Sequence, residues 1–170
     1  SIKEIKRLFG NRKLIGAEIG VYEGKNAESI LKNLNIKKLY LIDPYEDYND
    51  KSYTEKIENS HSQKEMNNAF WEAEKRLSNF KDRIEFKVNK SNENTDDIPD
   101  NLDFVYIDGA HDYKSVKQDL EIYFKKLKKG GVLCGHDAWL KDVWKAVFEF
   151  VVKNRLKVSV EINAWWMIKK

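Results

Sequence analysis

The sequence predicts an α/β fold, a mostly parallel sheet of seven strands doubly wound by helices on both faces, and three observations predict it. Short β-branched runs alternate with segments whose apolar residues recur every three or four positions. No internal repeat or low-complexity tract interrupts that alternation. The last two apolar runs lie too close together for a crossover, so they form an antiparallel hairpin at one edge.

The elements follow in order. Ile2, Ile5, Leu8 and Phe9 make the stripe of a first helix, and "LIGAEI" (14–19) is the first strand. Ala27, Ile30, Leu31 and Leu34 define a second helix before the strand "KLYLI" (38–42). Met66, Ala69, Phe70, Ala73, Leu77 and Phe80 define a third, before "IEFKV" (84–88). "LDFVYI" (102–107) leads into a helix carrying Val116, Leu120, Tyr123, Phe124 and Leu127, and "GVLCG" (131–135) follows. A last helix is apolar over a wider arc, with Val143, Val147, Phe150 and Val151 flanked by Trp144 and Phe148. "KVSVEI" (157–162) and "WWMIK" (165–169) close the chain, separated only by Asn163 and Ala164. Right-handed crossovers between the earlier strands put helices on both faces. One domain over residues 1–170 accommodates all of this.

Composition narrows the function classes. A content of 41% hydrophobic and 12% aromatic residues supplies a core, and 31 Lys and Arg against 28 Asp and Glu leave a net charge of only +3. The lysines are interspersed with acids rather than gathered in a stripe, which favours a solvated surface over a nucleic-acid groove. One cysteine, Cys134, excludes an internal disulfide and suits a reducing compartment, so a cytoplasmic location is expected and the thiol reads as a small buried strand residue. No apolar run approaches the roughly 18 residues of a membrane helix, and "SIKEIKRLFG" lacks the apolar centre of a signal peptide. The start at Ser1 rather than Met leaves room for an upstream segment.

Open α/β sheets bind ligands at the carboxyl ends of their strands, so the residues just past each strand are the candidates. The first strand ends in Glu18, Gly20 and Gly24, where a backbone without Cβ atoms lets a ligand approach main-chain N–H groups and a helix N-terminus. The second ends in Asp43, 23 residues beyond Gly20, where a carboxylate can accept bonds from both ribose hydroxyls. Either alone is weak; a glycine loop is often just a turn, and an Asp before Pro often just initiates one. Together they indicate a nucleoside. The run Val21, Tyr22, Glu23, Gly24 lacks the second glycine of a dinucleotide fingerprint, which argues against NAD.

On these residues the sequence resembles the class I S-adenosylmethionine-dependent methyltransferases over nearly its whole length, including the antiparallel edge hairpin on a Rossmann-like sheet. "AEIGVYEG" is similar to that family's first motif. The resemblance implies Glu18 near the methionine portion, Gly20, Tyr22 and Gly24 beside the cofactor, and Asp43 on the ribose. "NKSNE" (89–93) falls where the family contacts adenine, which implies Ser91 and Asn92.

Two later strand ends carry acids and imidazoles: Asp108 and His111 in "LDFVYIDGAHDY", His136 and Asp137 in "GGVLCGHDA". On neighbouring strands about 4.8 Å apart, the carboxylates repel unless a cation sits between them, so Asp108, His136 and Asp137 are candidate ligands for Mg²⁺ or Mn²⁺. The same residues could instead cap a loop or helix or be satisfied locally. This end resembles the macrocin O-methyltransferase and cephalosporin-hydroxylase-like branch, which implies a magnesium-assisted methylation of hydroxyls, often on sugars. That branch commonly carries two acids where this chain has His136 and Asp137, a departure that admits the softer Mn²⁺. His111 is a candidate general base and Asp108 its catalytic companion, at a sulfonium donor so activated that alignment and one proton acceptor suffice.

Acceptor choice is expected in the polar, tyrosine-rich stretch from Pro44 to about Ser62, read as a lid or as an ordinary loop. Trp139, Trp165 and Trp166 are read as packing, with stacking on an acceptor as the alternative. Three functions follow: a methyltransferase acting on a small hydroxyl-bearing acceptor such as a sugar, a nucleic-acid methyltransferase, or a non-catalytic nucleotide-binding module. The clustered acids and imidazoles favour an enzyme.

Overall fold

The computed structural model describes residues 1–50 and 59–170. Five helices, α1 (Ile2–Phe9), α2 (Lys25–Asn33), α3 (Gln63–Arg76), α4 (Tyr113–Lys126) and α5 (Lys141–Lys153), pack on a seven-stranded sheet. The sheet contains β1 (Leu14–Ile19), β2 (Ile36–Ile42), β5 (Ile84–Lys87), β6 (Leu102–Ile107), β7 (Leu127–Gly135), β8 (Val158–Glu161) and β9 (Ala164–Ile168). Two short strands, β3 (Tyr48–Asp50) and β4 (Asn59–His61), pair antiparallel as a separate ribbon.

The sheet runs β5-β2-β1-β6-β7-β9-β8, parallel as far as β7, with β9 antiparallel to both β7 and β8. The expected hairpin is present, its turn centred on Ile162 and Asn163, with Ile162 at φ 52°. The order reverses on either side of β1, which places a crevice at the carboxyl ends of β1, β2 and β6.

Alternation along the strands divides the core. Ala17, Ile19, Val105, Ile107 and Leu133 face α4 and α5, whereas Leu39, Leu41, Phe104, Tyr106 and Val132 face α1, α2 and α3. Parallel strands covered on both faces need apolar residues on both, and β6 is buried at every position. Cys134 is buried in β7, its thiol donating to the Val105 carbonyl and pushed up to about 12 by burial.

Several boundaries differ from expectation. The third helix ends at Arg76, and Leu77 and Phe80 belong to the 3-10 turn after it. β7 starts at Leu127, four residues before the expected strand, because Leu127 already pairs with Leu102 across a register shift. Trp165 is fully buried, donates Nε1 to the His136 carbonyl at 3.0 Å and presents no face for stacking, and Trp166 packs half-buried on the core. The expected lid falls partly on residues 51–58, outside the described residues. No helix among the described residues is long and apolar enough to cross a membrane.

Candidate functional site

A cleft of about 520 Å³ opens at the carboxyl ends of β1, β2 and β6. Of the residues expected to hold the cofactor, Gly20, Tyr22, Asp43, Ser91, Asn92 and Asp108 all line it, and so does His111. Glu18 lies beneath it, and Gly24 lies elsewhere.

The strand ends are knitted into one row by ladder bonds that continue past the last strand residue. Gly20 N–H donates to Ile42 O at 2.9 Å, Asp108 N–H to Ile19 O at 2.7 Å, His136 N–H to Ile107 O at 3.2 Å and Asp43 N–H to Lys87 O at 3.2 Å. This explains the bareness of Gly20 in a way the sequence did not. Gly20 sits at φ +82°, and a Cβ there would lie 2.1 Å from the Asp108 carbonyl oxygen and 2.6 Å from the Gly109 Cα. The glycine serves first the close approach of two strand ends and only then an open cleft. Gly24 caps α2 at φ +74°, where a Cβ would press on Ala73 of α3 and on Leu77 just past its end, so a turn and helix packing already require the glycine.

Asp43 is the keystone of the glycine loop. Its Oδ2 accepts from Val21 N–H and Tyr22 N–H, each at 2.9 Å, and its Oδ1 from Tyr45 N–H at 2.8 Å. A carboxylate offers about four acceptor positions, so three bonds leave capacity for one ligand hydroxyl. The expectation that Asp43 serves only a ribose is therefore incomplete; it also builds the loop. Tyr22 is held at φ +48°, its carbonyl accepting from the Tyr45 hydroxyl at 3.0 Å.

Glu18 is fully buried, its Oε1 accepting from Asn26 Nδ2 at 2.9 Å. Its Oε2 is buried with no partner among the described residues. Burial raises its pKa to about 8, opposed by the Asn26 bond and reinforced by Asp108 and Asp43.

At the ends of β6 and β7, Asp108, His111 and Asp137 bring one possible ligand atom each to within 4.8 Å of one another. Two of these are the expected ligands. The third atom of this group comes from His111, which the sequence offered as a general base, while His136 adjoins the group through Asp137. His136 stands beside the group, its Nδ1 3.2 Å from Asp137 Oδ1, and that neighbour raises its pKa. His111 Nε2 lies 3.0 Å from Asp137 Oδ2. Burial opposes charge on Asp137, but bonds to His111 and His136 outweigh it and hold its pKa below the ordinary value. Asp108 moves the other way, to about 6, chiefly because burial is reinforced by Asp137. Trp139 is exposed, but its Nε1 donates to Asp137 Oδ1 at 3.0 Å, which orients the acid.

Pro44, Glu46, Asp47 and Tyr48, from the stretch expected to lie over this edge, form one wall of the cleft. Two side chains were not singled out in the sequence. His61, on β4, stacks against Tyr22 and Tyr48 with ring centroids 5.1 and 5.2 Å away. Asp119, on α4, reaches the cleft from beneath Ser91.

Comparisons with known proteins agree with this architecture. The chain is 29% identical over 158 residues to the uncharacterized protein R132 of Acanthamoeba polyphaga mimivirus, covering 88% of this chain and spanning 65% of that protein. Its fold matches the O-methyltransferase NovP at TM-score 0.69 and 13% identity, covering 99% of this chain and 79% of that one. An O-methyltransferase from Bacillus cereus, solved with S-adenosylhomocysteine, matches at TM-score 0.67 and 14% identity with the same two coverages, 99% and 79%. An rRNA methylase from Streptococcus thermophilus matches at 0.65 and 14%, covering 99% and 93%. Residues 17–138, from the middle of β1 to just past Asp137, match a family profile described as methyltransferase domain. With more than half its length inside that match, the chain belongs to the methyltransferase-domain family.

Proposed function

We propose that this domain transfers the sulfonium methyl of S-adenosylmethionine to a hydroxyl of a small acceptor such as a sugar. One observation carries the reading: Asp108 and His111 line the same cleft as Gly20, Tyr22 and Asp43, so a proton acceptor stands beside the place the glycine loop offers a nucleoside. Asp43 keeps one acceptor position for a ribose hydroxyl, and Ser91 and Asn92 flank the base. Glu18, buried beneath the loop and protonated below about pH 8, would ionise on the approach of a cationic ligand amine and compensate it.

Direct displacement asks little of the protein beyond alignment and removal of the acceptor proton. His111, oriented through Nε2 by Asp137, takes that proton at Nδ1, and Asp137 in turn is held by Trp139. With a divalent ion bound, Asp108, His111 and Asp137 would instead serve as its donor set, two carboxylates and an imidazole within reach of one centre, and His111 would then be a ligand and not the base. A bound divalent ion would lower the pKa of a coordinated acceptor hydroxyl. The wall formed by Pro44, Glu46, Asp47 and Tyr48 supports acceptor choice in the stretch after β2.

The test is calorimetric titration with S-adenosylhomocysteine, with and without Mn²⁺ or Mg²⁺ and with NAD as control, followed by a panel of hydroxyl-bearing acceptors. Saturable binding of S-adenosylhomocysteine but not NAD, and turnover on a hydroxyl acceptor that EDTA reduces, is the expected result. Turnover on RNA alone would replace the acceptor class, and cofactor binding without turnover on any acceptor would leave a binding module.

A further inference from the structure

β8 closes one end of the sheet, with its outer side unpaired among the described residues, and the register fixes which backbone groups that side presents. Lys169 N–H donates to Gly131 O at 2.9 Å, so along β9 Lys169, Met167 and Trp165 turn their backbone groups to β7, while Ile168, Trp166 and Ala164 turn theirs to β8. Ser159 and Glu161, opposite Trp166 and Ala164, are therefore bonded inward, and the N–H and C=O groups of Val158 and Val160 point to the open edge. The side chains there are apolar, where a lone edge strand is ordinarily guarded by charge. Val160, opposite the buried Trp165, is 48% exposed, and Ile162 at the turn is 90% exposed. Apolar surface continues onto α5. Lys145, Glu149 and Lys153 face α4, the first over the Tyr113 ring and the others bonded to Tyr113 and Glu121. Trp144, Phe148 and Val152, spaced by four, cover the flank away from α4, with Phe148 53% and Val152 61% exposed. Trp144 and Val158 both pack against the core cluster beneath, so this ridge and the two valines lie on one face of the sheet. The opposite edge, β5, is guarded by charge instead, with Glu85 paired to Lys38 and Lys87.

We propose that this edge docks a second copy of the chain, β8 pairing antiparallel with the partner's β8 about a two-fold axis at Ser159, so that two sheets become one. The run Lys157, Val158, Ser159, Val160, Glu161 is complementary to its own reverse. With Ser159 opposite the partner's Ser159, Val158 meets the partner's Val160 and Lys157 meets the partner's Glu161. The backbone requires the same register: Val158 and Val160, whose groups face outward, become the reciprocally hydrogen-bonded pairs. A slip by one residue would set them against Ser159, whose own groups are already bonded to β9, and would turn valine toward the polar face of the partner strand. The two ridges of Trp144, Phe148 and Val152 then flank the seam and add the apolar area that so short a strand lacks. An isologous contact of this kind closes on itself. The cleft opens at β1, β2 and β6, the nearest of them three strands from β8, and stays accessible in both copies.

The experiment is sedimentation velocity at low ionic strength, from low to high micromolar concentration, where the native chain should show an equilibrium between monomer and dimer. Lys157→Glu sets acid against acid and Glu161→Lys sets lysine against lysine. The axis repeats each contact, so either substitution alone should weaken the dimer by about tenfold or more. Mixed in equal amounts, the two variants present opposite charges at both ends of the paired strands, and a heterodimer of near-native affinity should form. Both positions are exposed, so the fold should survive each change, which thermal melting followed by circular dichroism checks. A native chain that stays monomeric throughout, one that assembles beyond the dimer, or a dimer that neither charge variant weakens overturns the proposal. Weakening that mixing does not relieve overturns the register and the two-fold pairing with it.

Discussion

Glu18 makes the stability of the ligand-free domain depend on pH in a direction opposite to that of a salt-bridged acid. Its pKa is about 8 in the folded state against an ordinary 4.5, because burial outweighs the bond from Asn26. Between those values the folded chain holds a proton that the unfolded chain has released. Stability from this group is therefore complete below pH 4.5 and is lost as pH rises toward 8. At 1.36 kcal/mol per unit, the loss between pH 5 and 7 is on the order of 2.5 kcal/mol. In a domain of this size that corresponds to roughly 5–10 °C in Tm. Glu18→Gln removes the titration while keeping the shape and an acceptor for Asn26. Thermal melts of both proteins, followed by circular dichroism from pH 5 to 7.5, should show the native Tm falling more steeply by about that amount. The remaining titrating groups are common to the two proteins and cancel in the comparison. Parallel curves would show that Glu18 is ionised in the fold, and that the void around its Oε2 is better solvated than its burial implies.

Other consequences are equally direct. Asp43→Ala strips the acceptor from three backbone N–H groups, and should cost about 2–4 kcal/mol of folding free energy in denaturant titration in addition to cofactor affinity. Asp43→Asn, which keeps an acceptor oxygen, should recover part of the stability. Gly20→Ala should cost about 3 kcal/mol or more, from a Cβ driven into the Asp108 carbonyl at a positive φ, and the loss should appear without any ligand present. If the grouped atoms hold an ion, Mn²⁺ binding followed by electron paramagnetic resonance should weaken more than about tenfold in Asp108→Asn, and also in His136→Gln, which removes a partner of Asp137.

The fold was legible because each element announced its period. β6 reads as "LDFVYI" and is buried throughout, and the separation of the last two strands by a turn left no topology but a hairpin. The site was legible where function follows strand ends: Gly20, Asp43, Asp108 and Asp137 fell at the carboxyl edge as alternation placed them. What failed was whatever depends on the chain returning from a distance. Gly20 is glycine on account of Asp108, a neighbour 88 positions later, and no local pattern carries that information. That His111 joins Asp108 and Asp137 depends on the path of the loop after β6, which no local pattern carries. Asp119 did leave a trace, an acid three residues after Val116 and four before Tyr123, on a stripe otherwise apolar. Read for periodicity alone, that stripe passed as core; read for its exception, it pointed to the cleft.

The row of strand ends sewn together from Lys87 to His136 sets a limit on how this domain meets its cofactor. The glycine loop is already tied to Asp43, and Gly20 already rests against Asp108, before any ligand arrives. Little ordering entropy is left for the ligand to supply on this side, so association there should resemble docking to a preformed surface, a single kinetic phase limited by encounter. Coupling also follows from rigidity. A ligand that shifts the backbone at Gly20 must strain the Asp108 N–H to Ile19 O bond beside it, so the ends of β1 and β6 move together through backbone alone.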